Sequence, residues 1–96
     1  MGAAAKEELK AKERYNKIMF GLGMEHRTIG TEYAENTNDW GIAEMVKECK
    51  YQLEMHFSPE TSYGDMRYDD DSNVRKQWKS EVGKLQRFIN AYQDYN

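Results

Sequence analysis

The sequence predicts an all-α fold, a small three-helix domain with two long loops and a possible short strand in the first loop. Three observations predict it. Apolar residues recur every three or four positions in three separate windows, strong helix formers fill the positions between them, and Gly21, Gly23 and Pro59 stand where the first two patterns stop. A chain of 96 residues forms one domain, residues 1–96. Such a chain buries only roughly 60–65% of the surface exposed when unfolded, so a second copy is expected to assist as a homo-oligomer.

The first helix is expected from Ala3 to about Leu22, where Leu9, Tyr15, Ile18, Met19 and Leu22 lie roughly at helical spacing among Lys and Glu. Its first half offers little apolar surface beyond Ala and Leu9, and Gly21 and Gly23 supply the stop. The second helix carries Ile42, Val46, Cys49, Leu53 and Phe57 on one stripe, widened by Met45 and Met55, with Lys47, Glu48, Lys50 and Glu54 mostly elsewhere. Asn36, Thr37, Asn38 and Asp39 are its candidate N-caps, and Pro59 ends it. The third helix has Val74, Trp78, Val82, Leu85, Ile89 and Tyr92 on a stripe thickened by Phe88, with Asp71 or Ser72 as cap. Gly83 inside that pattern points to a close crossing of the second and third helices, which are expected to form an antiparallel core. Residues 23–37 and 58–72 are the two loops, long enough to be the expected functional segments. Thr28 to Tyr33 is the stretch that could form the strand.

Composition narrows the function classes. Three Phe, two Trp and seven Tyr argue for a folded core, and a net charge of −3 disfavours nucleic acid as a partner. The single Cys49 lies on an apolar stripe and fits a reducing compartment. No apolar run is long enough to span a bilayer, and the first residues lack the pattern of a secretory signal, so a cytoplasmic protein without membrane attachment is expected. Lys6 stands where a myristoylation motif requires Ser or Thr.

No motif for catalysis or metal binding emerges. Asp69, Asp71 and Asn73 begin like a calcium loop, but Val74 replaces the required Gly and Ser80 the closing Glu. His26, His56 and Cys49 lack the paired spacing of a zinc site, and His56 is better placed to face the negative end of the second helix. Nucleophile-elbow and P-loop patterns are missing, so the chain is read as a non-enzyme without cofactor or metal. The set that invites a ligand is His26, Arg27, Thr28 and Thr31 in the first loop with Tyr63, Arg67 and Tyr68 in the second. Aromatic faces stack on bases and Arg forks onto phosphate, although the same side chains also serve to cover a small core or form a protein interface. On the third helix Arg75, Lys76, Lys79, Lys84 and Arg87 form a basic side, a solvated face unless it lines a groove.

The stretches Trp40-Gly-Ile-Ala-Glu-Met-Val-Lys-Glu-Cys-Lys-Tyr-Gln-Leu-Glu54 and Trp78-Lys-Ser-Glu-Val-Gly-Lys-Leu-Gln-Arg-Phe-Ile-Asn-Ala-Tyr92 resemble small accessory proteins of tailed bacteriophages. The resemblance covers about a third of the chain and rests on helix-forming positions. It implies a phage accessory role in the host cytoplasm, such as countering a bacterial defence system by sequestering a nucleotide signal. The alternative is an inhibitor or scaffold that docks directly on a host protein.

Overall fold

A computed structural model of the chain describes residues 2–57 and 72–95 and, within them, every side chain but those of His56, Ser72 and Val74. Three helices, α1 (Ala3–Gly21), α2 (Ile42–His56) and α3 (Ser72–Tyr92), carry the fold, with one 3₁₀ turn at Glu25–Arg27. The all-α expectation is met. Among the described residues no strand forms, and Thr28 to Tyr33 run instead as bends and turns.

α1 stops for the reason the glycines suggested. Gly23 sits in the left-handed region at φ +72°, its N–H donates to Phe20 O at 3.1 Å, and Met24 N–H reaches back to Met19 O at 2.8 Å. This is a Schellman closure, which satisfies carbonyls the helix end would leave orphaned and returns Met24 onto the core beside Met19. The start of α2 differs from expectation. Its N-cap is Gly41, and Glu44 reaches back so that its Oε2 accepts the Gly41 N–H at 2.9 Å. Asn36, Thr37, Asn38 and Asp39 lie too far upstream to cap, because Ile42 is the first helical residue. Thr37 is buried, and its hydroxyl donates to Thr28 O at 2.6 Å.

α2 and α3 share the most extensive packing, with α1 laid against both. Gly41 and Ile42 at the start of α2 line one depression with Asp94 and Tyr95 just past α3, so these two helices run antiparallel. α1 also opposes α3 in direction, since Arg14 reaches Tyr92 while Lys17 and Ile18 share a groove with Lys84 and Arg87.

The core is a ladder of rings and thioethers. Tyr15, Met19, Met45, Cys49, Leu85 and Phe88 are fully buried. Tyr15 lies between Trp40 at 6.4 Å and Phe88 at 6.0 Å between ring centroids, and Phe88 continues to Tyr92 at 4.8 Å, all tilted as ring quadrupoles prefer. The stripes differ in detail from the sequence pattern. On α1 the buried line is Ala11, Tyr15 and Met19, four residues apart, while Leu9 is half exposed, and on α2 Met55 faces outward. Glu48 and Gln52 are buried on α2, although their residue types argued for solvent. Gly83 marks no close helix crossing, because the atoms nearest to a Cβ built there belong to the Arg87 guanidinium, with Nη1 at 3.0 Å.

Candidate functional site

The first loop is a closed structure clamped to α1 and α2. Asn16 on α1 faces Ile29 and makes a reciprocal pair: its Nδ2 donates to Ile29 O at 2.9 Å, and its Oδ1 accepts the Ile29 N–H at 2.8 Å. Both backbone groups that a strand partner would use are thereby taken by an amide side chain, and Gly30 at φ +72° turns the chain away. That is why the β-prone stretch forms no strand. Thr28 is fully buried; its hydroxyl donates to Glu25 O at 2.6 Å and shares a short hydrogen bond with the Thr31 hydroxyl. Glu35 N–H closes the loop onto His26 O at 2.9 Å.

Arg27 is the pivot of this arrangement. Its Nε donates to Glu48 Oε1 at 2.9 Å and its Nη2 to Glu48 Oε2 at 3.3 Å, while the guanidinium carbon lies 4.8 Å from the Trp40 ring centroid. The Tyr15 hydroxyl donates to Arg27 O at 2.7 Å, and Gln52 Nε2 donates to Glu48 Oε1 at 3.0 Å. A carboxylate as buried as Glu48 is tolerated when paired and hydrogen-bonded in this way. The hydrogen bond that Arg27 donates to Glu48 in turn raises the Arg27 pKa further. Burial, followed by the neighbouring Glu48, pushes the Tyr15 hydroxyl far above its ordinary range and the Cys49 thiol up to about 12.

Around this clamp opens a cavity of about 750 Å³ lined by Met24, His26, Arg27, Trp40, Glu44, Lys47, Glu48, Tyr51 and Gln52. His26 and Lys47 are exposed at its edge, Tyr51 is half exposed, and Gln52 Oε1 is a buried acceptor with no hydrogen-bond partner. Lys47 and Arg27 balance Glu44 and Glu48, so the lining is electrically mixed and rich in aromatic surface. Such a cavity suits a flat ring with a hydrogen-bonding edge better than a bare anion.

Of the residues singled out from sequence, His26 and Arg27 line this cavity. Thr28 and Thr31 are spent on the internal hydrogen bonds of the loop. Tyr63, Arg67 and Tyr68 lie outside the described residues, as do Pro59 and the Asp69 to Asp71 run. Sequence reasoning missed Trp40, which precedes α2, and Lys47, Tyr51 and Gln52, which the turn of α2 brings beside Arg27 at the three- and four-residue spacing from Glu44 to Gln52. Among the described residues no three His, Cys, Asp or Glu side chains converge as metal ligands would, and no helix is long and apolar enough to cross a membrane.

A second concavity lies between α1 and α3, about 230 Å³ in volume and lined by Arg14, Lys17, Ile18, Lys84 and Arg87. Of the basic side of the third helix, Lys84 and Arg87 line this groove within one chain, and Arg75, Lys76 and Lys79 do not. Family models, curated proteins and solved structures yield no match to this chain.

Proposed function

We propose that the protein acts stoichiometrically, by holding a nucleobase-bearing ligand in the cavity between the first loop and α2. The observation that carries this reading is the preformed cavity itself, in which a locked Arg27–Trp40 stack, the half-exposed Tyr51 ring and the Gln52 side chain border one open space. Tyr51 supplies a face for stacking, and Lys47 and His26 supply donors at the rim for a sugar or phosphate. Arg27 is held by Glu48 and serves as a wall of the site more than as a phosphate grip. In the phage setting that the sequence resemblance implies, the consequence would be withdrawal of a nucleotide signal from a host defence system.

A thermal-shift screen against nucleosides and nucleotides tests this reading. At about 100 times the dissociation constant a specific ligand stabilises the fold by roughly 2.7 kcal/mol, several degrees for a domain of this size. Tyr51→Ala, at a half-exposed position, is expected to abolish the shift while the free variant still unfolds in one cooperative transition. A flat screen at saturating concentrations overturns the reading.

One observation favours a second reading, docking on a host protein. Phe20 and Tyr33 form an edge-to-face pair at 6.1 Å while 42% and 52% exposed, an apolar pair presented to solvent at one end of the molecule. That reading is tested by retention of the wild-type chain, and loss by Phe20→Ser, of one stoichiometric protein captured from a bacterial lysate.

A further inference from the structure

The groove between α1 and α3 is cationic on both walls. Arg14 and Lys17 stand on α1, Lys84 and Arg87 on α3, each pair three residues apart and therefore one above the other on its helix. No carboxylate lines the groove, although acidic residues outnumber basic ones by 17 to 14 in the chain. Among the described residues Arg14, Lys17 and Arg87 make no ion pair, and Lys84 has only a loose one to Glu81 at 3.8 Å. Four like charges gathered around about 230 Å³ repel one another, so the free groove holds electrostatic energy that an anion would release.

The two arginines are also held in place by means other than carboxylates. The Arg14 guanidinium carbon lies 5.3 Å from the Tyr92 ring centroid and 5.9 Å from that of Phe88, with Nη1 3.5 Å from the Tyr92 hydroxyl. Stacking on aromatic faces fixes the guanidinium and leaves its N–H edge to other partners. Arg87 lies back against its own helix over Gly83, where a Cβ would meet Nη1 at 3.0 Å. A glycine in mid-helix costs about 1 kcal/mol relative to Ala, and this seat for Arg87 is what the position gains.

We propose that this groove binds an oligophosphate group, of pyrophosphate to triphosphate size. Two guanidinium forks and two ammonium groups on opposite walls match a short chain of tetrahedral phosphoryl groups, whose oxygens point in several directions; a single planar carboxylate would engage only one fork. The groove and the cavity beside Arg27 share no lining residue, so this site stands independently of the function proposed above.

Isothermal titration of the full chain with inorganic tripolyphosphate at low ionic strength provides the test. One saturable site per chain is expected, weakened roughly tenfold or more by Arg14→Gln or Arg87→Gln and screened by added salt. Gly83→Ala separates binding from folding: it raises the melting temperature through helix propensity, yet lowers affinity several-fold by displacing Arg87. ATP titrated into the Tyr51→Ala chain, whose other cavity no longer holds a base, identifies the source of the group. Tighter binding than tripolyphosphate marks the tail of a nucleotide, and equal binding marks free oligophosphate. Tyr51→Ala leaves the tripolyphosphate titration unchanged, whereas nucleosides without phosphate report only on the other cavity. The proposal is overturned by no saturable binding at millimolar tripolyphosphate, by titrations indifferent to both arginine variants, or by a single-stranded oligonucleotide binding more tightly in proportion to its length.

Discussion

Among the described residues, Cys49 and Tyr15 are the two groups whose acidity the fold changes most, and both are held neutral. Burial raises the thiol from its ordinary value of 9.0 to about 12 and the phenol well above 10.0. A folded-state pKa above the unfolded one means that the stabilisation is complete below the unfolded value and is lost as pH rises. Unfolded chains begin to ionise the thiol near pH 9, so stability is expected to fall from there towards pH 12, as urea midpoints across that range will report. Cys49→Ala should flatten the first part of that fall. For the same reason a thiol reagent should label Cys49 only as fast as the protein opens. Tyr15→Phe tests the other group. It keeps the ring contacts to Trp40 and Phe88 but removes the hydrogen bond to Arg27 O, and is expected to cost about 0.5–1.5 kcal/mol in chemical denaturation. The periodicity of α1 identified Tyr15 as a core residue. It carried no sign of the hydroxyl's partner, because Arg27 is twelve residues away across a turn that no spacing rule describes.

At the scale of elements, what was legible in the sequence is the helices, and what was not is how α2 begins and what polar groups it buries. The helical periods reported local geometry, which any apolar stripe displays. The cap of α2 escaped because four conventional capping residues precede a glycine, and Glu44 does the work from within the helix. Acceptance of backbone N–H groups, that of Gly41 first, lowers the Glu44 pKa below its ordinary 4.5. Its contribution is therefore present above about pH 4.5 and lost as pH falls through the lower folded value. Glu44→Gln should lose less stability on acidification through that window than the wild type, measured by urea midpoints. Glu48 was hidden for a related reason: a charged residue on α2 reads as solvent-facing unless its partner is known, and that partner lies in a loop 21 residues earlier. Glu48→Ala leaves Arg27 and Gln52 without their acceptor and is expected to destabilise by about 1–3 kcal/mol, less than a fully buried pair because Arg27 is partly exposed.

Over the whole molecule, charge is segregated although composition is nearly balanced. The cavity of the loop and α2 combines opposite charges with aromatic surface, while the α1–α3 groove is lined by four cations and Ile18. Net charge could not reveal this division. The grouping of Arg14 and Lys17 with Lys84 and Arg87 depends on two helices about 70 residues apart in the chain meeting in one orientation. Because the two concavities share no residue, the stability changes of Glu48→Ala and Arg87→Gln should add within about 0.5 kcal/mol in the double variant, and coupling beyond that would show that they communicate.

The amide clip between Asn16 and Ile29 has a consequence for how this chain behaves among its own copies. Thr28 to Tyr33 is a β-prone stretch, and an exposed backbone edge of that kind is a template on which other chains can add strands. By occupying both the N–H and the C=O of Ile29, Asn16 acts as a one-residue imitation of a neighbouring strand and removes that template. Asn16→Leu would preserve the helix while uncovering the edge. It should yield a protein that is still helical by circular dichroism but forms thioflavin-positive aggregates on concentration, where the wild type remains clear.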